Sequence, residues 1–219
     1  MTTMVLESET MADYPATVHT IDLSELTLGR LPESNSRREV VQIAADLADR
    51  VREATGQART RTINPLLLAA SVTATVLLHA INRDDIPRDS PDWISAAILR
   101  KPGAAPQVVL ERNDSPQRRR FSLAHEIAHV FTAPVNGFVA DERRPARRPE
   151  DDMAYFMANR REYFADLFSH FFLLPACEFD PLVDAGMSDE DIAMYMKVSV
   201  RTVVNRRMYR AILSGQVAD

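Results

Sequence analysis

The sequence holds a single cysteine, Cys177, in 219 residues. No internal disulfide can form, which excludes a stapled secreted scaffold and favours a reducing compartment. Glycine is also scarce, with 6 where average usage would place about 15, and this leans toward helix. There is no excess of cations: 26 Lys and Arg face 31 Asp and Glu, for a net charge of −5. A chain-wide electrostatic footprint for nucleic acid is therefore missing, although a local basic patch remains open. Long apolar runs are missing too. The most apolar stretch, residues 65–81, is short for a membrane span and is broken by Ser71, Thr73, Thr75 and His79. The first fifteen residues carry acids and no Lys or Arg, so no secretory leader is read there. The expectation is a cytoplasmic protein without a membrane role. Hydrophobic residues at 46% and charged residues at 26% exclude a wholly disordered or fibrous chain.

What is present reads as three parts. Residues 1–35 have weak periodicity and scattered Thr, Ser, Glu and Pro, as a loose arm would. A helix is expected over 36–54, where Ser36 and Glu39 form a capping box and Val40, Ile43, Ala44, Leu47 and Val51 repeat at helical spacing until Gly56. Asn64-Pro65 starts a short second helix. Strands are expected over 73–81, 93–99 and 107–111, the last two joined as a hairpin by RKPGAAP, giving a small sheet of mixed pairing. Helices over 121–133 and 152–174 follow, separated by a charged loop near 136–150 that contains DERRPARRPE. The fold class is α+β: a helix-rich core over 36–175 with a three-stranded sheet, then a helical segment over 176–219.

The chemistry concentrates in FSLAHEIAHVF. On a helix, His125 and His129 lie four residues apart on one face, so both imidazoles reach one ion, as tetrahedral zinc requires. Glu126 sits about one hundred degrees round the helix, placed to take a proton from a water that the metal activates. A His-acid-x-x-His match arises by chance about 0.02 times in a chain of this composition. A peptidase needs a third protein ligand and an open fourth position. The metzincin extension asks for glycine at 132 and histidine at 135, and the chain has Thr132 and Val135. Further on, Glu162 and Asp166 share a face of an otherwise aromatic helix. They supply a ligand and an acid that can accept the free N–H of a ligand histidine.

These residues resemble the ImmA/IrrE family of zinc metallopeptidases. The family signature Arg-Phe-Thr-Leu-Ala-His-Glu-x-x-His meets Arg120-Phe121-Ser122-Leu123-Ala124-His125-Glu126-Ile127-Ala128-His129. Its second block meets Glu162, Ala165-Asp166, Phe168-Ser169 and Phe172-Leu173-Leu174-Pro175, with Ser169 in place of the usual alanine. The resemblance covers roughly residues 36–213. It implies His125, His129 and Glu162 as zinc ligands, Glu126 as general base, and a helix-turn-helix repressor of the Xre-like type as the cleaved substrate. For an oxyanion partner, Tyr155, Tyr163, His79 and His170 all remain open. An extended substrate is expected to pair along the edge of the strand near 107–111.

The tail reads SDEDIAMYMKVSVRTVVNRRMYRAIL, two short helices about a tight turn, with Ser188 and Ser199 as caps. It is helix-turn-helix-like. Arg201, Arg206, Arg207 and Arg210 suit weak phosphate contacts, or else form the solvated face of a packing module that docks a protein. Cys177 reads as a small hydrophobe at a helix start. Two rival functions stay open: a DNA-binding regulator with a structural zinc, and a binding protein that sequesters a repressor without cutting it.

Overall fold

A computed structural model describes residues 36–58, 64–82, 93–99, 104–132 and 160–217. The expected arm over 1–35, the charged loop over 136–150 and Tyr155 lie outside these residues.

Helix α1 spans Arg37–Ala54, and its Ser36 hydroxyl accepts from the Glu39 amide. Val40, Val41, Ala44, Leu47, Ala48 and Val51 form its buried stripe. The helix ends at Thr55-Gly56, where the backbone turns left-handed at Gly56 (φ 70°), a conformation that costs a residue with Cβ. Helix α2 is Pro65–Ser71, with the Asn64 side chain capping Leu66.

Three strands follow: β1 (Thr75–His79), β2 (Ala96–Leu99) and β3 (Gln107–Glu111). The sheet order is β1-β3-β2. β1 runs parallel to β3 with Thr75 beside Gln107, and β2 runs antiparallel to β3 with Ala96 beside Leu110. The mixed sheet and the hairpin match the sequence reading. Strand β1 is shorter than expected, because Thr73 takes a positive φ of 57° and so cannot extend. One expectation is overturned. β3 is paired on both sides, so no substrate strand can add to it, and among the described residues the edges of the sheet are β1 and β2.

Helix α3, Pro116–Thr132, starts earlier than the sequence reading. Ser115 caps it by accepting from the Arg118 amide, and Pro116 needs no donor in the first turn. From Ser122 to Thr132 every residue of α3 is buried. Helix α4, Arg160–Leu173, is buried from Tyr163 onward. A helix that is covered on every side needs neighbours all round. α3 packs on α2, β2 and β3, while α4 packs on both α3 and α1.

Three helices complete the chain: α5 (Ala176–Asp184), α6 (Asp189–Met196) and α7 (Val200–Leu213). Ser188 and Ser199 cap the last two as expected. α7 packs on α1 and α4, and Phe179, Ile192, Met196, Val203, Tyr209 and Ile212 join the same apolar core as the rest. Here the basic face of the sequence reading is corrected. Arg206 is 2% exposed. Its guanidinium lies 4.2 Å over Phe171 and 5.0 Å over Phe179, and its Nε donates to the Leu174 carbonyl at 3.0 Å. Arg207 donates to Asp189 (2.5 Å) and to the Met187 carbonyl (2.8 Å), and Arg210 holds Asp184 (2.6 Å) and Asp180 (3.4 Å). Arg206 thus anchors α7 in the core, while Arg207 and Arg210, each about a third exposed, tie it to α6 and α5. Cys177 is exposed in the first turn of α5, with Arg52 Nη2 3.8 Å from its sulfur, so it is not a core hydrophobe.

Candidate metal centre

α3 and α4 run antiparallel, and their contacts step together. Phe121 meets the His170 ring edge-on at 4.8 Å, His125 meets Asp166, and His129 meets Glu162. Each advance of four residues along α3 is matched by four back along α4. The helical period thus turns two local spacings, His125/His129 and Glu162/Asp166, into one facing set.

The result is compact. His125 Nε2 lies 3.1 Å from Glu162 Oε2, His129 Nε2 lies 3.2 Å from Glu162 Oε1, and the two Nε2 atoms are 3.3 Å apart. One donor atom from each of the three residues falls within 4.8 Å of the others, close enough to hold one metal ion. His125 and His129 are buried, and Glu162 keeps 17% of its side chain open. Burial acts to raise the Glu162 carboxyl. The two imidazoles outweigh it through hydrogen bonds and charge, and hold the group well below the usual carboxylate range.

Behind this set, His125 Nδ1 lies 2.9 Å from Asp166 Oδ1. A carboxylate only accepts, so Nδ1 donates to Asp166, and this hydrogen bond would orient the Nε2 lone pair toward a metal held by the set. Glu126, one residue on from His125, is 1% exposed, and both its carboxylate oxygens are shielded from solvent. The donor set of two imidazoles and one carboxylate suits a divalent transition metal. It is the only such cluster among the described residues.

A sequence profile described as the IrrE N-terminal-like domain, Peptidase_M78, matches residues 84–208, more than half of the chain. The chain belongs to this family. It is a metallopeptidase family, and the ImmA/IrrE resemblance of the sequence is the same assignment. No curated protein matches the chain. In this family member the matched span runs from before β2 into α7, so it takes in the cluster and most of the tail helices.

The other expected site residues are placed less centrally. The Tyr163 hydroxyl, fully buried, accepts from Arg37 Nε at 3.0 Å and ties α1 to α4. His170 is buried, with Nδ1 2.7 Å from the Asp166 carbonyl and its ring edge-on to Tyr209 at 5.2 Å. Both read as structural. His79 ends β1 and is exposed. The sequence reading missed the buried carboxylate of Glu111. Its Oε2 accepts from the Ile81 and Asn82 amides and from Asn82 Nδ2, and its Oε1 accepts from the Asn113 amide. Asn82 in turn clasps Ile94 on the β2 side. This network fixes the end of the sheet from which α3 departs.

Proposed function

We propose that the chain is a zinc-dependent, site-specific endopeptidase. The observation that carries this reading is the facing set on α3 and α4: His125, His129 and Glu162 converge, with Asp166 behind one imidazole and Glu126 beside it. A structural site fills four positions with side chains; among the described residues this one offers three, as a hydrolytic site does. A zinc ion held there would polarise a peptide carbonyl and acidify a water. Glu126 accepts the proton of the attacking water and returns it to the leaving amine. Asp166 keeps His125 in one tautomer. The same three ligands also suit iron. The neighbouring carboxylate base favours hydrolysis, and hence zinc. An exposed thiol at Cys177 suits a cytoplasmic setting.

The family resemblance supports a helix-turn-helix repressor as the substrate, its cleavage relieving repression. Against the DNA-binding alternative stand the burial of Arg206 and the pairing of Arg207 and Arg210 with acidic side chains.

The test begins with metal content. Purified wild type should carry about one zinc per chain, and Glu162→Ala should lose it. Glu126→Gln should keep the metal. New protein termini that appear in cells expressing wild type, and not in cells expressing Glu126→Gln, would identify the substrate. Absence of metal from the wild type after zinc is supplied would overturn the reading.

A further inference from the structure

A cleft of about 300 Å³ opens where α1, α5 and α7 meet over the end of α4. Asp46 and Asp49 of α1 line one wall, Asp180 of α5 lines another, and the buried Phe171 and Arg206 line it from inside the core. None of the residues of the candidate metal centre borders it.

Arg206 gives the cleft its chemistry. A guanidinium carries five N–H donors. The Nε donor goes to the Leu174 carbonyl, and the Phe171 and Phe179 rings cover the group. The donors on Nη1 and Nη2 meet no acceptor among the described residues. They are not sealed in by protein either, and the cleft is the space that Arg206 lines. A charged donor fork left unpaired at 2% exposure is costly. A carboxylate fits both Nη groups at once.

The surrounding charges narrow the kind of carboxylate. Asp49 and Asp180 are the acids that act on Arg206. Asp46 stands one turn before Asp49, exposed, and accepts from Gln42 at 2.8 Å. A bare anion on Arg206 would face these carboxylates, and a bare cation on the carboxylates would face Arg206. A molecule with a carboxylate and an ammonium on one carbon meets both: its carboxylate on the Nη fork, its ammonium on Asp46 and Asp49. Ala45, Ala176 and Leu213 add an apolar lining. At roughly 30 Å³ per non-hydrogen atom, the share of a water in the liquid, the cleft holds roughly ten such atoms. That is the size of one amino acid.

We propose that this cleft binds a free α-amino acid with an apolar side chain. Bound there, the amino acid bridges α1 and α7 and stabilises the closure of the tail on the body. This binding needs no metal at the α3–α4 cluster.

The experiment is isothermal titration of the full chain with L-leucine. Leucinamide, which lacks the carboxylate, N-acetyl-leucine, which lacks the ammonium, inorganic phosphate and Mg²⁺ are the comparison probes. Leucine should bind with a Kd below about 1 mM, and each derivative at least about tenfold more weakly. Ala45→Leu fills the cleft from a partly buried position and should remove binding. Asp46→Asn, at an exposed position, should leave thermal melting at the wild-type value. It should weaken leucine about tenfold without weakening N-acetyl-leucine. Arg206→Met, titrated where its far-UV spectrum is that of wild type, should bind none. Glu162→Ala should bind leucine as wild type does. No heat from leucine up to about 10 mM overturns the proposal. So does N-acetyl-leucine binding as tightly as leucine, which would make this a plain anion site. So does phosphate or Mg²⁺ binding more tightly than leucine. Leucine binding that survives both Ala45→Leu and Asp46→Asn, or that Glu162→Ala removes, places the amino acid elsewhere and overturns it as well.

Discussion

Asp166 bears on the candidate metal centre through His125, and its removal should separate affinity from geometry. Asp166→Asn keeps the size of the side chain and weakens the hydrogen bond that fixes the Nδ1–H tautomer. Zinc affinity should fall by about 10–100-fold, measured by competition with a chromophoric chelator, while the far-UV spectrum stays unchanged. Glu111 offers a second test at this scale. Burial acts to raise its carboxyl, and the Asn113, Asn82 and Ile81 donors outweigh that and lower it. A carboxylate whose folded value is depressed adds stability above its unfolded value, near 4.5, and that stability is lost as pH falls through the folded value. Glu111→Gln should cost about 1–3 kcal/mol at pH 7. The gap between wild type and variant should close as urea melts are repeated toward pH 3. The two sites were not equally legible. His125 and His129 announce themselves because both lie on one local helix and obey its period. Glu111 draws three of its four donors from Ile81 and Asn82, at separations of 30 and 29 residues, which no local spacing signals.

At the scale of elements, helix starts were legible wherever a side chain caps locally. Ser36, Asn64, Ser188 and Ser199 all do so. The early start of α3 follows the same rule, since Ser115-Pro116 is a cap and first turn, but the basic run after it lacks an apolar period. Sheet order was not legible. A short link marks β2 and β3 as a hairpin, but nothing in β1 says which side of that hairpin it joins. The direction of the tail arginines was hidden as well. Arg206 looks solvated in a helical pattern, yet Phe171 and Phe179, far off in sequence, enclose its guanidinium. Burial pushes that group down to about 10, against the opposing charges of Asp180 and Asp49, so it stays charged at neutral pH. Its packing therefore matters beside its charge. Arg206→Ala should destabilise by about 3–5 kcal/mol. Arg206→Met, which keeps the volume, should cost clearly less in the same denaturant melts.

At the scale of the whole molecule, α1 is the element on which the tail and the helices of the candidate metal centre both close. Its buried stripe lies against α4 and α7. Leu47, 1% exposed, should cost about 2–5 kcal/mol on truncation to Ala. A single cooperative unit would lower the melting of the cluster and of the tail together, read by a fluorophore on Cys177 and by zinc release. No helix among the described residues is long and apolar enough to cross a membrane.

The two ends of this closure lie far apart along the chain. Arg38 donates to the Leu213 carbonyl at a separation of 175 residues, and Arg37 reaches Tyr163 across 126. A ribosome adding roughly 5–20 residues per second therefore releases α1 well before its partners exist. The first of the described helices is among the last to be covered, and its valine and leucine face waits for its partners for roughly 10–35 seconds. During synthesis that face is the natural hold for a chaperone, and a stalled or shortened transcript leaves it bare.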